Sequence, residues 1–309
     1  KMGSAAIAYS GGVDSTFLLK IACDVLGESA QGFLAVSESL DRNELKAARQ
    51  LAREQGFPLV EIETHEYENP LYRQNTPQRC YHCKNELFSE VSRFAKLQGF
   101  RWVLDGSHAG DVGDYRPGLK ARDEQGVRSP LMEAGLDKEE IRHFSRLLGL
   151  PTWNKPAAPC LSSRIPYGSE VSHRKLRQVE ALEEKLSSLG FEIRRARHYG
   201  DEARIEVPLE RMDELLEKPI FEQVKQESRR LGFLSVIVDP GGFRSGNLNR
   251  ALEVGGRQRW GRQLLRSKSP GEELRIEPVS EGVPNLFGSL FLLVVSSRSE
   301  MKLGGSRFG

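Results

Sequence analysis

Ser10-Gly11-Gly12-Val13-Asp14-Ser15 decides the fold, because of what stands on either side of it. Before it runs Ala5-Ala6-Ile7-Ala8-Tyr9, an apolar stretch too short for a helix and suited to a buried strand. After it, Phe17, Leu18, Ile21, Ala22, Val25 and Leu26 fall at helical spacing, and Gly27 supplies a stop. Two glycines permit a tight turn and close backbone approach, so successive amides face one point. The helix N-terminus adds partial positive charge, and the Ser10 and Ser15 hydroxyls add donors. A strand, this turn and a helix make an anion cradle. It is not the lysine-containing phosphate loop G-x-x-x-x-G-K-[ST], since no lysine stands inside it.

Outward from that turn, strand and helix patterns alternate. Residues 32–36 read as a second strand, and Asp41 with Glu44 reads as a capping box opening a helix through Gln55. Residues 59–62 read as a third strand, 85–98 as a helix and 102–104 as a fourth strand ending in Asp105-Gly106-Ser107. Strands separated by helices predict an α/β fold with a parallel sheet wrapped on both faces. In such sheets ligands sit beyond the carboxyl ends of the strands, where the loops after Tyr9, Val36 and Leu104 lie. Prolines 151, 156, 159 and 166 mark a link. Beyond it, helices over 171–189, 209–216 and 220–231 and strands over 191–197, 203–207 and 234–238 predict a smaller α+β unit. The expected organisation is a nucleotide domain over 1–155 and a substrate domain over 156–250. A C-terminal extension over 251–309, rich in Gly, Ser, Arg and Pro, is expected to be weakly packed.

Composition narrows the class. The 309 residues carry 45 basic and 43 acidic side chains, so no strong global field draws the chain to nucleic acid or to a membrane surface. Four cysteines are too few for a disulfide scaffold, and their usage suits a reducing, cytoplasmic compartment. No signal-peptide pattern opens the chain, which starts at Lys1 and runs at once into a strand, as if residues upstream were missing. The longest apolar stretch, 286–295, is broken by Gly288 and Ser289 and is too short to span a bilayer.

Further motifs follow in order. Asp105-Gly106-Ser107-His108-Ala109-Gly110-Asp111 and Asp114-Tyr115-Arg116-Pro117-Gly118 place carboxylates where Mg²⁺ would meet phosphate, although Asp and Gly also serve ordinary polar turns. Pro159-Cys160-Leu161-Ser162-Ser163-Arg164-Ile165-Pro166-Tyr167-Gly168 and Gly242-Phe243-Arg244-Ser245-Gly246-Asn247-Leu248-Asn249 come later. Ser-Gly-Gly-x-Asp-Ser resembles the signature of the PP-loop ATP-pyrophosphatases, which cleave ATP between the α and β phosphates. The whole set, over about residues 5 to 250, resembles the LarE sulfurtransferases. That resemblance implies ATP held by Ser10, Gly11, Gly12, Val13, Asp14 and Ser15 with Val36, Asp105 and Gly106. It implies a mononucleotide substrate, pyridinium-3,5-biscarboxylic acid mononucleotide, whose carboxylate is adenylated and then thiolated by sulfur delivered at Cys160. It also suggests a homo-oligomer. The chain departs from the family pattern in lacking a helix before the first strand.

Sulfur chemistry leaves alternatives open. In one version of the family the cysteine gives up its own sulfur; in another, three cysteines hold a [4Fe-4S] cluster that carries added sulfide. Arg79-Cys80-Tyr81-His82-Cys83-Lys84 supplies a C-x-x-C, so Cys80, Cys83 and Cys160 are the candidate ligands of such a cluster. A redox dithiol relaying persulfide to Cys160, or a zinc site completed by a histidine, are the competing readings. Cys23 reads as a buried small hydrophobe. Arg195 and Arg197 alternate onto one face of a strand and, with Arg164, are candidates for holding substrate phosphate or carboxylate; a solvated basic face is the bland alternative. Glu180 and Asp213 are possible metal ligands in the second unit. Rival functions are a PP-loop tRNA thiolase, an amide ligase like NAD synthase, and a non-catalytic ATP-binding module.

Overall fold

The computed structural model describes residues 2–111 and 117–244. Asp114, Tyr115 and Arg116, the motif residues 245–249 and the extension over 251–309 therefore lie outside the described residues. Four parallel strands, β1 (Ala5–Tyr9), β2 (Ala30–Val36), β3 (Leu59–Glu63) and β4 (Trp102–Leu104), form one sheet in the order β3-β2-β1-β4. Helices α1 (Val13–Leu26), α2 (Arg42–Gln55), α3 (Pro70–Arg73) and α4 (Arg79–Leu97) fall between these strands. After β4 come α5 (Pro117–Glu124), α6 (Pro130–Glu133) and α7 (Lys138–Leu147).

The period of two along β1 divides the core. Ala5, Ile7 and Tyr9 join the cluster with α1, α2 and α7, whereas Ala6 joins Phe33, Ile62, Val91 and Ala95 beneath α4. Both faces are thus covered, as a parallel sheet requires. Gly32 lets α1 come close: a Cβ there would stand 2.8 Å from a Leu19 methyl. From β1 the chain steps outward to β2 and β3, then returns across the sheet to β4 on the other side. The order reverses between β1 and β4, which opens a crevice at their carboxyl ends.

Past the proline-rich stretch, α8 (His173–Ser188) precedes a second sheet, in which the β5 (Arg195–Tyr199) and β6 (Glu202–Glu206) hairpin pairs in parallel with β7 (Ser235–Val238). Helices α9 (Met212–Leu216) and α10 (Lys218–Arg230) make the crossover, and Leu182, Leu186, Phe191, Ile205, Leu215 and Val224 fill its own core. Between the sheets, Tyr72 packs with Leu161, Ile165, Val171, Leu176 and Val179, with Cys83 at the edge. No helix among the described residues is long and apolar enough to cross a membrane.

Three expectations shift in detail. Helix α4 begins at Arg79, six residues before the predicted start, so Cys80 and Cys83 lie within its first turns. Strand β5 begins at Arg195, because residues 192–193 form a bend just before it. Asp41 caps α2, accepting from the Asn43 and Glu44 amides, but Glu44 does not complete the box; its carboxylate pairs with Lys155 instead. The reciprocal box belongs to α7, between Asp137 and Glu140.

Candidate functional site

The glycine turn sits at the carboxyl end of β1, as the sequence predicts. Gly11 takes φ +70, and a Cβ there would meet Ala48 of α2 at 2.7 Å, so both the conformation and the space require glycine. Ser15 Oγ accepts from the Ser10 amide (3.1 Å) and lies 3.0 Å from Ser10 Oγ, which closes the loop on itself. Gly106 packs the β4 loop directly onto the start of α1: its Cβ would stand 3.0 Å from the Ser15 nitrogen. Val36 ends β2 on the same edge, where its carbonyl accepts from the Thr64 amide at 3.1 Å. The first amides of α1 have no intrahelical acceptor.

Two lysines that the sequence did not single out complete the loop. Lys138, the first residue of α7, donates to both Asp14 oxygens at 2.7 and 2.6 Å. Lys155 donates to the Gly11 carbonyl at 3.1 Å and pairs with Glu44 at 2.7 Å. They stand 124 and 144 positions from their loop partners, a separation no local pattern reports.

The carboxylate loop after β4 differs from its expectation. Asp105 is buried, and it accepts from the Ser107 amide, the Ser107 hydroxyl and the Ser129 hydroxyl. Asp111, also buried, accepts from the His108 amide. Both carboxylates therefore brace their own loop. Glu180 is buried under Arg42 and Arg177, whereas Asp213 is exposed on α9, so the two are not brought together as metal ligands. Among the described residues, no group of three His, Cys, Asp or Glu side chains is arranged around a single metal position.

The helix that carries Cys80 and Cys83 and the segment that carries Cys160 are joined through Tyr72 and Arg79. The Cys160 segment reaches them from the other side: Leu161 N donates to the Ser39 carbonyl at 2.8 Å, and Ser162 Oγ lies 2.6 Å from Tyr72 Oη. Asn75 stitches the two stretches, holding φ +53 and donating to the carbonyls of Ile165, Pro166 and Ser169. Burial raises the Cys80 thiol's pKa against the pull of Arg79. Burial, then the Glu66 carboxylate, pushes Cys83 well above the ordinary thiol range, and Cys160 acts on both. Tyr72 is raised by burial and by Cys160 and Cys83.

Arg79 is the telling residue. It is 2% exposed, its guanidinium donates to Asn75 Oδ1 and the Ser162 carbonyl, and it stands 5.5 Å from the Tyr167 ring. No carboxylate pairs with it among the described residues; burial works against its charge, and its ionisable neighbours are Cys160, Cys80, Tyr167 and Tyr72. A buried cation is costly unless an anion answers it, and since burial raises the pKa of the neighbouring Cys80, its neutral thiol does not supply one. Cys23, by contrast, packs at the edge of the main core, and its thiol is raised to about 11 by burial.

The three candidate arginines separate. Arg164, 3% exposed, directs all three guanidinium nitrogens to protein acceptors: both Glu183 oxygens at 2.9 and 2.8 Å, the Pro159 and Cys160 carbonyls, and Ser163 Oγ. Arg197 likewise forks onto Glu206 and donates to the Ser163 carbonyl. Both fix the cysteine segment rather than present a fork to a ligand. Among the described residues Arg195 has only neutral acceptors, the Arg194 and Ala157 carbonyls, and its pKa is lowered to about 10 by burial and by Arg164. It is the arginine of the three that lacks an anion. Arg164→Ala leaves Glu183 buried without its fork and should cost about 3–5 kcal/mol of unfolding free energy. A urea midpoint unchanged from wild type would contradict that role.

A parallel sheet with its order reversed beside a Ser-Gly-Gly-x-Asp-Ser turn, that turn opening a helix, defines a nucleotide-binding unit of the PP-loop class. No protein-family model matches the chain. Over 248 residues, however, it is 41% identical to the pyridinium-3,5-bisthiocarboxylic acid mononucleotide synthase of Lactiplantibacillus plantarum, covering 80% of this chain and 89% of that one. It is 44% identical over 252 residues to an uncharacterised protein of Synechocystis, covering 82% of this chain and 94% of the relative. A glutamine-hydrolysing GMP synthase component of Thermoplasma volcanium is 29% identical over 58% of this chain and 62% of its own length. The chain belongs to the pyridinium-3,5-bisthiocarboxylic acid mononucleotide synthase family, the LarE group of PP-loop proteins.

Proposed function

We propose that the chain is an ATP-dependent sulfurtransferase of nickel-pincer cofactor synthesis, acting on a carboxylate of pyridinium-3,5-biscarboxylic acid mononucleotide. The name of the Lactiplantibacillus relative supports the substrate class. The observation that carries the chemistry is that the cysteine segment is tied to the same sheet edge as the glycine turn. Lys155 reaches Gly11, Leu161 reaches Ser39, and the five steps of chain from Lys155 to Cys160 span at most roughly 18 Å.

In this reading ATP lies on the turn 10–15, with Val36 and Gly106 flanking it. A substrate carboxylate oxygen attacks the α-phosphorus, the bond to the β-phosphate oxygen breaks, and pyrophosphate leaves. Amides at the start of α1 and the Lys138 ammonium stabilise the charge that develops, since donors held in place act without reorganising. Phosphate entering beside Asp14 draws Lys138 toward the stronger anion. A sulfur nucleophile at Cys160 then attacks the acyl carbon, and AMP departs with the former carboxylate oxygen. Arg195 takes the phosphate of the mononucleotide, exchanging neutral carbonyl acceptors for a charged one.

Mg²⁺ travels with the nucleotide and needs one or two carboxylates; Asp14 fits that role better than the enclosed Asp105. For sulfur, Cys80, Cys83 and Cys160 are the residues that would hold a [4Fe-4S] cluster. No three such side chains surround one metal position among the described residues, so the thiols would have to draw together to do so. The buried Arg79 guanidinium, which no carboxylate pairs with among the described residues, supports an anionic group beside it. Such a cluster supplies an iron position for added sulfide. We also read residues 1–155 as the nucleotide domain and 156–250 as the sulfur-transfer domain. The test is to supply ATP and the mononucleotide to anaerobically purified chain. Pyrophosphate should appear only with both present, and about four irons per chain should accompany thiocarboxylate. Pyrophosphate release without the mononucleotide would sink the proposal.

A further inference from the structure

The turn contains a peptide that the sequence alone leaves undetermined. Gly11 and Gly12 flank one amide plane, and glycines on both sides let that plane rotate between two orientations at little steric cost. In a trans peptide the Gly11 carbonyl and the Gly12 amide point in opposite directions, so whatever grips the carbonyl aims the amide. Neighbouring groups of the loop are committed elsewhere. Ser15 Oγ takes the Ser10 amide, and the Gly12 carbonyl receives Thr16 N at 3.0 Å. The Gly11 carbonyl is gripped by the Lys155 ammonium at 3.1 Å. Glu44 holds that ammonium in place at 2.7 Å instead of serving the cap of α2.

Lys155 also begins the stretch that carries Cys160, and this stretch is held along its length. Arg142 donates to the Trp153 carbonyl at 2.8 Å and to the Lys155 carbonyl at 3.0 Å. Arg195 takes the Ala157 carbonyl at 2.9 Å, and Arg164 takes those of Pro159 and Cys160. Pro156 and Pro159 fix two φ angles between the ends. A change at the Lys155 head group is thus carried toward the thiol rather than absorbed by slack.

We propose that Lys155 is a positioning residue for both half-reactions, locking the Gly11–Gly12 peptide with its amide toward the nucleotide phosphate and tethering the Cys160 segment to that loop. This rests on the reading of the turn as the phosphate site. The two lysines divide the work there: Lys138 neutralises charge at Asp14, whereas Lys155 orients backbone.

The experiment compares wild type with Lys155→Met, Lys155→Arg and Glu44→Gln. Three quantities are read: KM for ATP, kcat for pyrophosphate release, and thiocarboxylate formed per pyrophosphate. Losing a charged hydrogen bond that orients the cradle should raise KM for ATP about 10- to 100-fold in Lys155→Met. The decrease in kcat should be smaller, and thiocarboxylate per pyrophosphate should fall below the wild-type ratio. Lys155→Arg should recover part of both, and Glu44→Gln, which loosens the ammonium but leaves it able to reach the carbonyl, should lose less than Lys155→Met. Equal damage from Glu44→Gln and Lys155→Met would reduce Lys155 to an ordinary ion-pair anchor and overturn the inference. So would a Lys155→Met enzyme with unchanged KM and unchanged coupling. If wild type itself bound no ATP, the phosphate-site reading would fail first, and this inference with it.

Discussion

In Cys160→Ala chain, pyrophosphate release should continue near the wild-type rate while thiocarboxylate formation stops. The two activities come apart because the contacts that seat this segment are made by backbone. Leu161 N on Ser39, and Arg164 on the Pro159 and Cys160 carbonyls, do not involve the thiol. Alanine therefore leaves the segment where it is, at a packing cost of less than about 1.5 kcal/mol. What is lost is the sulfur at the point where the acyl-adenylate must be met. The variant should accumulate acyl-adenylate or leak it to water as AMP and free carboxylate. Thiocarboxylate assayed by mass, against pyrophosphate assayed enzymatically, reads both halves in one reaction. Full thiolation in this variant would remove Cys160 from the chemistry altogether.

Gly11→Ala should produce the largest loss in the first half-reaction. A side chain at φ +70 costs about 1–2 kcal/mol by itself. The greater effect is steric, since the new methyl falls 2.7 Å from the Ala48 side chain and 2.9 Å from its Cα, so either the turn or α2 must move. Displacing the amides by about 1 Å is enough to lower kcat/KM for adenylation on the order of 100-fold. A second substitution, Ala48→Gly, removes the 2.7 Å contact but neither the 2.9 Å approach to the Cα nor the φ. It should recover part of the activity in the double variant and none of the conformational cost. Wild-type kcat/KM in Gly11→Ala would show that the turn does not hold the reacting phosphates.

The sheet was legible because its signals are local. An apolar run, two glycines and a helical period sit within residues 5–27, and the observed β1, turn and α1 follow them closely. The position of the three loops at the carboxyl edge followed from strand alternation alone. Side-chain partnerships were less legible. Arg164 and Arg197 carry the residue type and spacing of a phosphate clamp, yet Glu183 and Glu206 claim their forks. Arg195 differs from them only in which acceptors tertiary packing brings near it. Glu44 shows the same limit on a smaller scale: three residues from Asp41 it looks like half of a capping box, and a lysine 111 positions later takes it. The buried Asn75 and Arg79, which join the C-x-x-C helix to the Cys160 segment, carry no local signal at all. A pattern of residue types reports which chemistry is available, and packing decides which copies are left to perform it.

Tracing oxygen-18 through one turnover tests the central claim most directly. With both oxygens of the substrate carboxylate labelled, attack on the α-phosphorus followed by sulfur displacement must leave one labelled oxygen on each AMP released, matched to one thiocarboxylate and one pyrophosphate. Unlabelled AMP, or ADP and phosphate in place of AMP and pyrophosphate, would mean that the nucleotide on this turn never receives the substrate's carboxylate.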